Sequence, residues 1–264
     1  MMMMMSSLKL ALLFGAALGL YQFNAQNTNH LASVVPQYNT NNNTDQLATP
    51  TSALQLNPGF DYFVFVLQWP AAFCNIQQSY TQRQPCNPVQ VLPQHRNKFT
   101  VHGLWPRLNG AKSPLYCTAQ SMPDGDLNTF RNDLLEYWPD LHFAQDFEAS
   151  RDFWRREWKK HGKCSSNKFN PQQYLKITLD LAKKYAKPIF DGLQNQGINP
   201  GGTTARRLED LRKIVMKLTG CNDPILNIVL NGSGDHLLLE IKLCVKDDGV
   251  TLMDCDEVYK FAAP

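Results

Sequence analysis

Apolar and polar positions change rhythm several times along this chain, and each rhythm predicts a different kind of segment. After the early cation Lys9, an unbroken apolar run extends from Leu10 to Leu20 and gives way to small and polar residues ending at Asn24-Ala25. This is the layout of a secretory signal, and the run is shorter than the roughly 18 apolar residues that a bilayer span requires. Residues 1–25 are therefore expected to be a cleaved signal peptide, leaving the mature chain secreted, extracellular and free of the membrane. Residues 26–57 are rich in Asn, Gln, Thr and Ser and show no apolar period. Such a segment cannot bury enough surface to offset its ordering entropy, so it reads as a disordered polar leader. The folded domain is expected to start near Asn57-Pro58-Gly59 and to occupy 58–264.

Within that domain, DYFVFVLQW (61–69) concentrates aromatic and β-branched residues and predicts a buried strand. Residues 71–97 scatter Gln, Pro and Asn between Cys74 and Cys86 and read as a loop stapled by those cysteines. FTVHGLW (99–105) predicts a second short strand, ended by Pro106. Helical spacing marks 126–138, which stops at Pro139, and 147–161, which stops at Gly162 in the manner of a C-terminal cap. NPQQYLKITLDLAKKYA (170–186) has an Asn-Pro entry and an amphipathic period, and 203–219 is a further amphipathic helix. PILNIVL (224–230), HLLLEIKLCV (236–245) and a segment near 250–253 then predict strands separated by NGSGD and KDDG turns. Strands and helices mix without a βαβ rhythm. The class is α+β, a central antiparallel β-sheet with packed α-helices.

Composition adds modest constraints. The chain has 264 residues, 43% hydrophobic and 19% charged, with a formal charge of +3. This mildly basic balance permits an anionic partner such as RNA without requiring one. Seven cysteines, Cys74, Cys86, Cys117, Cys164, Cys221, Cys244 and Cys255, leave at least one without an intrachain partner. Secretion favours their pairing, and the lack of any CxxC spacing argues against structural zinc. Sequons at Asn42 and Asn231 are glycosylation candidates.

The chemistry concentrates in FWRREWKKHGKC (153–164). On a continuous helix Trp154, Glu157, Lys160 and His161 would share one face, projecting a carboxylate, an ammonium and an imidazole together. That trio suits phosphoryl transfer: the imidazole moves protons near neutrality and the cation stabilises a developing phosphorane. A second imidazole, His102, lies in FTVHGLWP, flanked by Gly103 and Trp105. Taken singly, His102 reads as a satisfied core residue and the 157–161 face as a salt-bridged surface. Taken together they supply the two proton carriers that a two-proton reaction needs. Cys117 and Cys164 follow the two motifs, and a bridge between them would draw the segments together. A metal set of His102, His161 and Cys164 is poorly spaced, so no metal or other cofactor is expected.

FTVHGLWP (99–106) and FWRREWKKHGKC (153–164) resemble the two active-site segments of the ribonuclease T2 family, in its plant S-type and S-like branch. QWP (68–70), WP (138–139), LLLEIKLC (237–244) and DC (254–255) also fit, so the resemblance spans roughly 58–260. It implies a disulfide-stapled ribonuclease T2-like catalytic domain over 58–264. The implied activity is a secreted, acid-tolerant, metal-independent endoribonuclease acting on single-stranded RNA through a 2′,3′-cyclic phosphate. DNA lacks the 2′-OH and would be inert. The family's catalytic positions fall on His102, Glu157, Lys160 and His161, with His161 as base and His102 as acid, an assignment that the chemistry also allows in reverse. Its substrate contacts fall on Gln68, Asp140 and Phe153 for a base, with Trp105 across the site, Trp154 beside them, and Arg156 where many members carry a phosphate-holding histidine. The implied bridges are Cys74–Cys86, Cys117–Cys164 and Cys244–Cys255, leaving Cys221 odd. A monomer is expected. The resemblance leaves three roles open: an S-type enzyme of gametophytic self-incompatibility with a pollen recognition partner, an S-like enzyme of phosphate scavenging or defence, and an inert binding or storage protein on the same scaffold. The intact catalytic set favours an enzyme.

Overall fold

The computed structural model describes residues 59–80, 86, 95, 97–110, 113–143, 146–198, 208–230, 234 and 236–255. The stretches expected to be a signal peptide (1–25) and a polar leader (26–57), and both sequons, Asn42 and Asn231, lie outside the described residues. The strands are β1 (Tyr62–Gln68), β2 (Thr100–Arg107), β3 (Ile225–Leu230), β4 (His236–Lys246) and β5 (Leu252–Met253). They form one antiparallel sheet in the order β2-β1-β4-β3, with β5 pairing β4. The helices are α1 (Pro70–Tyr80), α2 (Asp124–Thr129), α3 (Arg131–Tyr137), α4 (Phe147–Lys160), α5 (Pro171–Gln194) and α6 (Leu208–Thr219), with a 3-10 turn at Gly162–Ser165. The architecture is α+β. Among the described residues no helix is long and apolar enough to cross a membrane.

β1 lies at the centre because both of its faces are apolar, and all seven of its residues are buried. Phe63, Phe65 and Leu67 enter the main core with Trp138, Trp154, Trp158, Tyr174 and Phe190. Tyr62, Val64 and Val66 cover the opposite face with Cys244, Cys255 and Trp105. Disulfides join Cys74–Cys86, Cys117–Cys164 and Cys244–Cys255, while Cys221 is a buried free thiol.

Two β-bulges break the sheet's alternation where it matters. On β2, Val101 pairs with Leu67 and Gly103 with Val66, so His102 is the extra, unpaired residue. The bulge lets Val101 and Leu104, three apart, both face the main core, while Trp105 turns to the other face. On β4, Leu238 pairs with Ile228 and Glu240 with Asn227, so Leu239 is extra and Glu240 follows it. Bulges re-aim side chains at some cost in pairing. At the β2 bulge part of that cost is offset: the indole N–H of Trp138 donates to the His102 carbonyl at 3.1 Å, and the Tyr174 hydroxyl to the Leu104 carbonyl at 2.7 Å.

Several local expectations are corrected. Residues 70–80 are helical rather than loop, with Pro70 at the first helical position, where its missing N–H costs nothing. β2 runs through Pro106 to Arg107, because β2 is an edge strand and an edge tolerates a residue that cannot donate. The helix expected over 126–138 is two short helices broken at Phe130. α5 starts with an Asn170/Gln173 capping box and continues through Pro188 to Gln194, because Ile189, Phe190 and Leu193 carry its buried face into the core. α4 ends at Lys160, and Gly162 is not a left-handed cap. Glycine is required there for space: a Cβ would overlap the Trp158 ring and lie 2.9 Å from Tyr174 Cζ.

Replacing Tyr174 with Phe removes the donor to Leu104 and leaves a buried carbonyl unpaired. We expect a loss of about 1–2 kcal/mol, read as a lower urea midpoint at unchanged m-value. An unchanged midpoint would show that the edge carbonyl does not need this partner.

Candidate active site

The bulge on β2 holds His102 with its Nδ1 2.6 Å from Oε1 of Glu240, which reaches across the sheet from β4. Oε2 of Glu240 accepts from the Asn227 amide at 3.3 Å and lies 3.5 Å from the Lys242 ammonium. With Nδ1 engaged, Nε2 is the nitrogen left to exchange a proton. The His102 side chain is 37% exposed, so that proton is within reach of solvent or substrate.

Trp105 stands between the two histidines. Its ring meets His102 edge-on at 5.0 Å and stacks on His161 at 5.1 Å with a 29° interplanar angle. Its indole N–H donates to Glu157 Oε2 at 3.1 Å. Gly103 leaves room for this arrangement: a Cβ there would run into the indole nitrogen and lie 2.6 Å from the Glu157 carboxylate.

The second motif reaches the site from the end of α4. His161 caps the helix with its N–H on the Glu157 carbonyl at 3.0 Å, but its backbone (φ −121°, ψ −61°) has left the helix. The expected single face of Trp154, Glu157, Lys160 and His161 therefore does not form. Glu157 and His161 turn to the site, Lys160 is exposed, and Trp154 is wholly buried. The Trp154 indole N–H is spent on the Trp138 carbonyl at 2.7 Å and its ring packs against Phe147. It is a core residue with no face left for substrate, contrary to expectation. The Cys117–Cys164 bridge and a 3.0 Å bond from the Tyr116 N–H to the Lys160 carbonyl tie the segment that follows β2 to the second motif.

The remaining expected contacts gather around Trp138 and the start of β2. Gln68 is buried and its amide donates to the Val101 carbonyl at 3.3 Å, one residue before His102. Asp140 is buried, accepts from the His142 N–H at 3.0 Å, and lies 3.9 Å from the exposed Arg156 guanidinium. Phe153 is half-buried and meets Trp138 edge-on at 6.2 Å.

The two imidazoles occupy opposite electrostatic settings. Burial, then the positive fields of Lys160, His102 and Arg107, lower the pKa of His161 to about 3. Its Nδ1 is buried without a hydrogen-bond partner among the described residues. His102, by contrast, is bonded to a carboxylate. Burial pushes the Glu240 carboxyl up, but the His102 hydrogen bond and the charges of His102 and Lys242 outweigh it and hold the group below the usual carboxylate range. Glu157 moves the other way, raised by burial despite His102, Trp105 and Lys160. Carboxylates pushed apart in this manner are a common mark of an acid–base site.

Glu240 is the site residue that motif reasoning passed over. Its signal is present in LLLEIKLC, where one carboxylate interrupts an apolar strand. A charge in such a run needs a partner, but the sequence does not identify that partner, 138 positions away.

The description "Ribonuclease T2 family" belongs to the family model that matches residues 60–255. Intracellular ribonuclease LX of Solanum lycopersicum is 31% identical over 197 residues, covering 74% of this chain and 77% of its own. Ribonuclease S-7 of Nicotiana alata is 33% identical over 178 residues, covering 64% of this chain and 74% of its own. The solved structure of RNase NT in complex with 5′-AMP aligns at a TM-score of 0.61 and 28% identity, over 74% of this chain and 90% of its own.

His161 gives the native state a pH signature. Its folded pKa of about 3 lies below the roughly 6.5 of an unfolded histidine, so between these values the unfolded chain holds the extra proton. Stability then falls as pH falls through that window, by up to about 1.4 kcal/mol per pH unit from this group. Urea midpoints at pH 7 and pH 4 should drop more for the wild type than for His161→Gln. Equal drops would contradict a neutral, buried His161.

Proposed function

Because the chain belongs to the ribonuclease T2 family, we propose that it cleaves single-stranded RNA by transphosphorylation at the ribose 2′-OH. His161 takes the 2′-OH proton, and O2′ attacks the adjacent phosphorus. The P–O5′ bond breaks, and His102 gives its Nε2 proton to the departing 5′-oxygen. The products are a 2′,3′-cyclic phosphate and a free 5′-OH. Water then opens the cyclic ester with the two proton roles reversed.

The observation that carries this reading is the pairing of two unlike imidazoles across Trp105. His161 is kept neutral by burial and by neighbouring cations, as a base must be before it acts. A bound phosphate brings negative charge next to Lys160, Arg107 and His161, offsets the fields that disfavour the imidazolium, and so strengthens the base when substrate is present. His102 has a carboxylate at Nδ1, the counter-charge that an imidazolium acid needs. Lys160 supplies exposed positive charge for the phosphorane. Glu157, its carboxyl raised by burial, is suited to share a proton with a phosphate oxygen in acid. Gln68, Asp140 and Phe153 are the base-side contacts of this reading, with Arg156 as the phosphate-holding cation. Trp105 is reserved for holding the histidines.

The N-terminal signal pattern supports secretion of the mature enzyme, which we take to act as a monomer without a cofactor. The net charge of +3 is the feature that supports an S-type role in self-incompatibility over an S-like role.

The test is cleavage of yeast RNA by the secreted protein with EDTA present, beside His102→Ala and His161→Ala. We expect wild-type cutting with an acid, bell-shaped dependence on pH, and a loss of about 10³-fold or more in each variant, from the loss of proton transfer and of its coupled partner. Folded wild type without activity, or a rate still rising above about pH 9, where no imidazole titrates, would contradict the two-histidine mechanism.

A further inference from the structure

We infer that Glu240 is a positioning residue for the reaction: it holds His102 by Nδ1, fixes which ring nitrogen carries the mobile proton, and supplies the counter-charge of the protonated ring. This deepens the proposed function and rests on His102 being a proton-transfer group. Four observations carry it.

The first is geometry. The 2.6 Å contact joins Oε1 of Glu240 to His102 Nδ1, and a carboxylate can only accept, so the proton on that side belongs to Nδ1. A neutral ring in this setting carries its lone pair on Nε2, and a protonated ring offers its labile proton there.

The second is the burial and support of the carboxylate. Glu240 is 7% exposed in a strand whose other buried residues are all apolar. A buried carboxylate is costly to retain unless it is paired and hydrogen-bonded. Its second oxygen is occupied by the Asn227 amide and the Lys242 ammonium, which leaves Oε1 for His102.

The third is the sheet. Both members of the pair sit at bulges, His102 as the extra residue of β2 and Glu240 directly after the extra residue of β4. The central strand β1 separates them, and Gln68 pairs in register with Glu240. Two independent breaks in the alternation converge on one hydrogen bond.

The fourth is the rest of the charge around His102. Among the described residues, the groups that face it are Trp105 on its own strand, Glu157 and His161 from the end of α4, and Glu240 from β4, with Lys242 behind the last. Of the two carboxylates, Glu157 is bonded to the indole of Trp105 and is raised by burial. Glu240 alone is bonded to the ring.

The test uses the secreted, full-domain enzyme carrying Glu240→Gln, which keeps size and hydrogen-bonding capacity but removes the charge, and Glu240→Asp, which keeps the charge on a shorter arm. For Glu240→Gln we expect kcat on a dinucleotide to fall by about 10- to 100-fold with KM changed less than about threefold, and the alkaline limb of the rate profile to move to lower pH. The ring 15N shifts of His102 in the neutral range should pass from the Nδ1–H form toward the Nε2–H form. Glu240→Asp should recover part of kcat and return the limb toward its wild-type position. If Glu240→Gln folds, cuts at the wild-type rate and keeps the wild-type pH profile and ring tautomer, the inference is wrong. A drop in rate that merely follows the folded fraction, with the pH profile unmoved, also overturns it, because that is what a purely structural residue would give. Inactive wild type would instead sink the ribonuclease reading itself, which separates the two failures.

Discussion

The unpaired edge of β2 is the constraint on which the site depends. An edge strand has no sheet neighbour on one side, and a bulge weakens its pairing on the other. Here the row of carbonyls that points away from β1 is closed from the helical layer: Trp138 takes that of His102 and Tyr174 that of Leu104. Trp138 is tied in turn to α4 through the indole of Trp154. The main core therefore fixes the backbone from which His102 and Trp105 project. It also fixes α4, whose last turn delivers Glu157 and His161. The large aromatic residues of the two motifs divide accordingly, Trp154 and Trp158 to the core and Trp105 to the site.

A second theme is the unequal treatment of like groups. Two imidazoles and one carboxylate lie around the Trp105 indole, and a second carboxylate holds His102 from β4. One imidazole is dry and surrounded by cations, while the other is bonded to an anion. One carboxylate is raised by burial, while the other is held low by its partners. Such inequality lets one group wait as a neutral base while the other holds a proton to give. The arrangement reaches it with local packing: His161 is stacked on the Trp105 face, and His102 stands nearly perpendicular to the same ring.

Much of this was legible in the chain. The strand at 61–69 was plain because β1 is buried on both faces and so reads as a continuous apolar run. The two histidine motifs were legible because imidazoles beside glycine and tryptophan are locally unusual. What escaped was whatever depends on register or tertiary partners. The His102 bulge cannot be seen in VHGL, because alternation is broken only when paired against β1. The helical spacing of 153–161 suggested a shared face, but the chain leaves the helix at His161 to meet Trp105, and the real stripe is Trp154 and Trp158 turned inward. Residues 71–80 looked like a loop by composition and fold as a helix from Pro70. Glu240 was visible as an oddity in its strand but had no assignable partner, since its contact with His102 joins opposite halves of the domain.

The most direct check on the central claim is the chemistry of the product. A DNA oligonucleotide with a single internal ribonucleotide, incubated with the enzyme and followed by 31P NMR, has one bond that a 2′-OH mechanism can break. The account predicts cleavage only at the 3′ side of that ribose, with a 2′,3′-cyclic phosphate as the first product and a 5′-OH on the other fragment. Cleavage at deoxynucleotides, or a 5′-phosphate and 3′-OH at the ribose, would show that another nucleophile attacks phosphorus and would contradict the roles given to His161 and His102.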